Sequence, residues 1–213
     1  MEGNETGAAR TRFLLLCGVI AGPFYLAVGL TQALLREGFD FSRHPLSVLA
    51  NGPGGWIQTA NFVLTGLMVL AAAIGFARVP GRRSWGMTCF LGAFGVAMIV
   101  AAVFPADPVD GFPPGTPKGP PTTISTTGLV HFAAGGLGFL SLGISCFFAA
   151  WAMWRRKVSL AIVSLLSGLA VLLGFFGGIM SPIGILGIWF AVVVGLAWLA
   201  ILSEKSRVAA KCL

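Results

Sequence analysis

Six apolar runs, each long enough to cross a bilayer, follow one another with only short polar connections between them. They extend from Phe13 to Leu35, Trp56 to Ala77, Trp85 to Phe104, Leu129 to Trp154, Val158 to Ile179 and Ile185 to Leu202. A helix needs about 20 predominantly apolar residues to span the hydrocarbon layer. Hydrocarbon offers no partner for backbone N–H and C=O groups, so each run has to be helical. The expected fold is an all-α integral membrane protein. Six transmembrane helices form three hairpins over residues 13–202, with terminal tails at 1–12 and 203–213. The fifth and sixth runs are separated only by a Gly-Ser-Pro turn around Ser181 and Pro182, but together they are too long for one crossing. The first run follows Arg10 and Arg12 as a signal peptide would. It is too long for a typical h-region and lacks a small-residue cleavage site, so it reads as retained.

Charged residues make up 10% of the chain, against about 25% in soluble domains, which leaves too little polar surface for a soluble globule. The net charge of +7 does not indicate nucleic-acid binding, because the basic residues fall in short clusters between apolar runs rather than on one face. Eleven of the 14 Lys and Arg residues lie on one side: Arg10, Arg12, Arg78, Arg82, Arg83, Arg155, Arg156, Lys157, Lys205, Arg207 and Lys211. Arg36, Arg43 and Lys118 lie on the other. The positive-inside rule assigns the eleven, and with them both termini, to the cytoplasm of a multi-pass protein of the cell membrane. Trp56 and Trp189 then fall near the outer interface, and Trp85, Trp151, Trp154 and Trp198 near the inner one. Cys17, Cys89 and Cys146 lie within spans and Cys212 in the tail, so no structural disulfide is expected. The glycine content suits close approach of helix backbones and leaves self-association into a homo-oligomer open.

The residues with chemistry collect on the side opposite the basic clusters. Loop one, Arg36 to Gly55, carries Glu37, Asp40, Arg43 and His44; loop two, Pro105 to Gly128, carries Asp107 and Asp110. His131 opens the fourth span, with Gly135 and Gly138 on the same stripe. Tyr25, Gln32 and Arg36 share one face of the first span; Gln58, Asn61 and Thr65 share one face of the second. Unpaired amides are costly in hydrocarbon, so these faces point inward. They either line a polar pocket roofed by the two loops or hydrogen-bond neighbouring helices. The seven prolines between Pro105 and Pro121 favour an extended, stiff loop two, with Gly111 and Gly115 permitting sharp turns. That loop is either a plain connector or a lid whose first part is fixed over the pocket.

Two stretches carry a family resemblance. GFDFSRHPLSVLANGPGGWIQTANFVLTG, from Gly38 to Gly66, and VFPADPVDGFPPGTP, from Val103 to Pro117, resemble the hallmarks of the DUF998 family of bacterial membrane proteins, as does the histidine opening the next span. The resemblance implies a six-span fold and points to Asp40, Arg43, His44, Asn61, Asp107 and His131. It supplies no activity.

Two functional readings are nearly balanced, with the enzyme slightly ahead. In the first, Asp40 and Asp107 act as general acid or base and His44 and His131 relay protons or orient them, on a lipid-like or isoprenoid substrate. Tyr25, Gln32, Arg43, Gln58 and Asn61 would bind that substrate, Arg43 through a headgroup or phosphate. An isomerase, cyclase or hydrolase would need no cofactor or metal there. In the second, the same pocket belongs to a non-catalytic lipid or small-molecule binder, transporter component or partner subunit. A third arrangement, His44 and His131 as axial ligands of a haem, is the weakest, because His44 stands in a loop beside a proline.

Overall fold

The computed structural model describes residues 2–79, 84–119, 121, 123–179 and 184–210. Six helices run in chain order: α1 Glu2–Leu35, α2 Gly55–Ala77, α3 Trp85–Val103, α4 Thr126–Met153, α5 Val158–Leu172 and α6 Gly184–Ala209. All six are long and apolar enough to cross a membrane, α5 together with the π-helical turn Leu173–Gly177 that continues it. No β-strand occurs among the described residues; the one β-bridge joins Val109 to Phe112. The Ser181–Pro182 turn, and Arg82, Arg83, Lys211 and Cys212, lie outside the described residues.

The helices overrun the apolar segments that predict them. α1 begins well before Phe13 and α6 continues past Leu202, because helical hydrogen bonding does not stop where hydrophobicity does. Two starts are set by serine caps: the Ser84 hydroxyl accepts the Met87 N–H (3.3 Å) and the Ser125 hydroxyl accepts the Gly128 N–H (2.9 Å).

Each helix packs on its chain neighbours, and α6 returns to pack on α1, so the bundle closes into a ring. Glycine makes two of the seams possible. A Cβ at Gly66 would stand 2.7 Å from the Gly95 carbonyl oxygen, and one at Gly174 would stand 2.8 Å from that of Gly187, so α2–α3 and α5–α6 approach backbone to backbone. Polar side chains add to the seams: the Trp198 indole donates to the Ser164 hydroxyl (2.9 Å) across α5–α6, and the Ser145 hydroxyl donates to the Met87 carbonyl (2.9 Å) across α3–α4.

The tryptophans divide differently from the expected belts. Trp56, Trp85, Trp151 and Trp154 are exposed, whereas Trp198 is buried and Trp189 is half-buried against Phe41 (ring centroids 5.5 Å apart). The hydrogen bond to Ser164 accounts for Trp198, whose polar edge is satisfied inside the bundle rather than at an interface.

Candidate functional site: a capped apolar cavity

Loops one and two meet over one end of the ring. Loop one is folded around Asp40, whose carboxylate accepts the Ser42 N–H (2.8 Å), the Ser42 hydroxyl (2.6 Å) and Arg43 Nε (3.0 Å). These donors, Ser42 first and Arg43 after it, hold the exposed Asp40 carboxyl down at about 2. A 3-10 turn, Leu46–Ala50, then carries the chain toward α2. Arg36 donates to the Leu49 and Asn51 carbonyls and lies over the Phe112 ring, 4.9 Å from its centroid.

Loop two is folded by its Asp-Gly pair. Asp110 (φ 48°) and Gly111 (φ 88°) occupy the centre of a tight turn closed by reciprocal bonds between Val109 and Phe112 (3.0 and 2.9 Å). Such a turn needs positive φ at both central positions, which Asp-Gly supplies. Asp110 Oδ1 also accepts the Gly119 N–H (2.9 Å). The turn puts Phe112 at zero exposure between the loops, 5.5 Å from Phe39 and 5.6 Å from His44.

His44 joins the loops. It is fully buried; Nδ1 accepts the Asp40 N–H (2.9 Å), which leaves the ring proton on Nε2 to donate to the Asp110 carbonyl (3.1 Å). Asn51 Nδ2 adds a second tie, to the Ala106 carbonyl (2.9 Å), and Arg43 faces Asp110 Oδ2 at 3.6 Å. The first part of loop two is thus fixed over the bundle, as a lid would be. Both ring nitrogens of His44 are engaged, so it does not fit the axial position of a two-histidine haem site.

Beneath this cap lies a cavity of about 480 Å³, within the range of small-molecule sites, about 300–1,000 Å³. Its wall is overwhelmingly apolar, with Phe62, Phe94, Phe132, Phe139 and Phe175 among its residues. Phe139 and Phe175 stack at 4.3 Å, and Phe175 stands in the π-helical turn of α5. Gly135 and Gly138 lie on the wall below His131; the missing side chain of Gly135 leaves the wall open, whereas a Cβ at Gly138 would stand 2.9 Å from that of Ala97, so Gly138 lets α4 pack on α3. The polar residues among its lining are Tyr25, Arg43, Ser47, Asp107, His131 and Trp189.

The expected site residues therefore separate. Asp107, His131, Tyr25 and Arg43 line the cavity; Asp40, His44, Gln32, Gln58 and Asn61 do not. Gln32 Nε2 donates to Gln58 Oε1 (2.9 Å), Asn61 Nδ2 donates to the same oxygen (3.2 Å) and to the Tyr25 carbonyl (3.1 Å), and Thr65 donates to Asn61 (3.5 Å). Of the two alternatives for these faces, the amides take the interhelical one, in the α1–α2 seam behind the Tyr25 wall.

Asp107 is held at the start of α4, where its carboxylate accepts the Ser125 N–H (3.0 Å) and the Ser125 hydroxyl. Gly128 leaves room for that carboxylate, which a Cβ at this position would displace. Negative charge at a helix N-terminus is favoured by the exposed N–H groups. His131 is bonded on one side only. Its Nδ1 faces the carbonyls of Ala101 (3.1 Å) and Phe104 (2.9 Å) at the C-terminus of α3, so Nδ1 carries the proton and donates. Nε2 keeps its lone pair and makes no hydrogen bond among the described residues. Trp189, read from the sequence as an interface residue, belongs to the wall as well, and its buried indole N–H is unpaired among the described residues. An indole four residues into an apolar run carries no sequence mark to separate wall from interface.

A ring of six membrane-spanning helices, capped by two interlocked loops over an apolar cavity, defines a polytopic helical membrane protein. The chain belongs to the family described as "Protein of unknown function (DUF998)", whose sequence model matches residues 19–203. No curated protein and no solved structure matches it.

Proposed function

We propose that the protein takes an amphiphile, lipid-like or isoprenoid, out of the bilayer, its apolar body in the cavity and its polar end beneath the two-loop cap. One observation carries this reading: part of the cavity wall is also apolar outer surface. Ile124, Leu129, Phe132 and Ile179 line the cavity and are 68%, 60%, 58% and 41% exposed. Apolar side chains that face both a cavity and the outside of a membrane bundle form a route for a molecule arriving from the lipid, not from water. The distribution of Lys and Arg supports an orientation with this end facing away from the cytoplasm and the termini inside.

Binding, rather than turnover, is the activity this geometry supports best. Asp40 and His44 fold the cap, and Asp107 anchors loop two to α4. A second reading, acid–base catalysis on the bound amphiphile, rests on the unengaged Nε2 of His131, the atom a general base requires.

The test uses purified protein in lipid nanodiscs with a long-chain diazirine hydrocarbon probe. Crosslinks are expected on Phe94, Phe139 and Phe175. Gly135→Phe should fill the cavity, since a Cβ there meets nothing nearer than Phe175 at 3.7 Å, and lower labelling at least about tenfold with folding intact. Labelling confined to the outer surface in both proteins would refute the reading. Conversion of a bound lipid by wild type, lost in His131→Ala, would move the protein to the catalytic reading.

A further inference from the structure

Two polar groups of the cavity wall, His131 and Asp107, present acceptors. His131 spends its only N–H on the α3 carbonyls, so the neutral ring has just the Nε2 lone pair left. Unlike the indole N–H of Trp189, that atom is not sealed by surrounding protein. Asp107 presents carboxyl oxygens, which accept from Ser125 and have further lone pairs. Both of these groups have accepting capacity left.

Charge narrows the choice further. Arg43 is the one cation among the described residues of the wall, and it already faces Asp40 at 3.0 Å and Asp110 at 3.6 Å. Arg36 is committed to the loop-one carbonyls and to Phe112 and does not reach the wall. The wall therefore carries the Asp107 carboxylate together with an arginine that Asp40 and Asp110 already pair from outside the cavity. An anionic headgroup would meet the negative charge of Asp107 with no unpaired cation of the described wall to offset it.

We infer that the ligand is a lipophilic alcohol: an apolar body ending in a hydroxyl that donates its proton to His131 Nε2, and not a phosphate or other anionic lipid. Arg43 thus serves the cap and does not hold a phosphate. This inference rests on the binding reading above and adds the chemistry of the ligand's polar end.

The experiment measures how well three competitors displace the hydrocarbon photoprobe from the purified full-length protein: a long-chain alcohol, its methyl ether and its phosphate monoester. The alcohol should compete about 3- to 10-fold better than the ether, the worth of one hydrogen bond, and the phosphate should compete worst. His131→Asn keeps an N–H in the place of Nδ1, and so the tie to α3, while removing the Nε2 acceptor. It should bring the alcohol down to the level of the ether and leave the ether unchanged. His131→Gln, whose amide oxygen reaches the Nε2 position, should restore the preference. An ether as good as the alcohol in wild type, a phosphate that competes best, or a preference that survives His131→Asn would overturn the inference while the cavity still binds hydrocarbon. Failure of the hydrocarbon probe to enter the cavity at all would remove the binding reading and this inference with it.

Discussion

The region around His44 and the region around His131 lie at the same end of the bundle, and each is built on a histidine beside a loop. They differ in what is left over. Around His44, both ring nitrogens are bonded and the ring is packed between Phe39 and Phe112. Around His131, one nitrogen is bonded and the other is not. The first region is a fastening between two loops; the second is a wall of the cavity. Hydrogen-bonding capacity left unspent on the fold is what separates a binding group from a structural one. Residue type and depth in the membrane do not.

Substitutions test that contrast directly. The largest effect is expected at His44. His44→Ala strips the Asp40 N–H and the Asp110 carbonyl of their partner, and each buried unpaired group costs about 1–3 kcal/mol, so the cap should lose about 2–6 kcal/mol. Denaturant unfolding of the purified protein would measure it. His131→Asn should cost far less, because its tie to α3 is retained, and equal losses at the two positions would erase the distinction. Next in size, Asn61→Leu removes a donor shared by Gln58 and the Tyr25 carbonyl in the α1–α2 seam. Interhelical hydrogen bonds in membranes are worth about 0.6–2 kcal/mol, and the loss should be of that order with probe labelling of the cavity unchanged. Reduced labelling would return Asn61 to the list of ligand contacts. Ser125→Ala follows at about 1 kcal/mol, the usual worth of an N-cap. Its effect and that of Asp107→Ala should be strongly non-additive, because the two side chains form one bonded unit.

Much of this architecture is legible in the amino-acid sequence, and the boundary of legibility is physical. The six helices follow from the apolar runs because a bilayer leaves the backbone no alternative. The tight turn of loop two follows from Asp110-Gly111, since few other pairs tolerate two positive φ values. Helical periodicity put Gln58, Asn61 and Thr65 on one inward face, and they are on one. It could not say whether that face meets the cavity or helix α1, because a stripe fixes an angle on its own helix and not the neighbour it looks at. His44 and His131 were inseparable for a similar reason. What distinguishes them is the position of the Asp110 carbonyl, 66 residues along the chain from His44, and of the α3 carbonyls, 27 and 30 residues from His131. Trp189 was missed because its neighbours in sequence are those of any interfacial tryptophan.

The smallest expected effect belongs to the periphery of the cap and concerns pH. Asp40 titrates at about 2 in the folded protein, drawn down by Ser42 and Arg43, against about 3.9 for a free aspartate. A carboxyl depressed by folding stabilises the fold above its unfolded value and loses that contribution as pH falls through its folded value. The window is thus from about pH 4 down to about pH 2. Amide exchange at Ser42 and Arg43, corrected for intrinsic rates, should stay slow to about pH 3 and quicken below it in the wild type. In Asp40→Asn the amides should exchange faster at every pH, without that break. Because Asp40 is solvated, the difference should be modest and confined to loop one. A break that persisted in Asp40→Asn would place the titrating group elsewhere, and a break that spread to the wall around His131 would show that the fastening and the cavity open together.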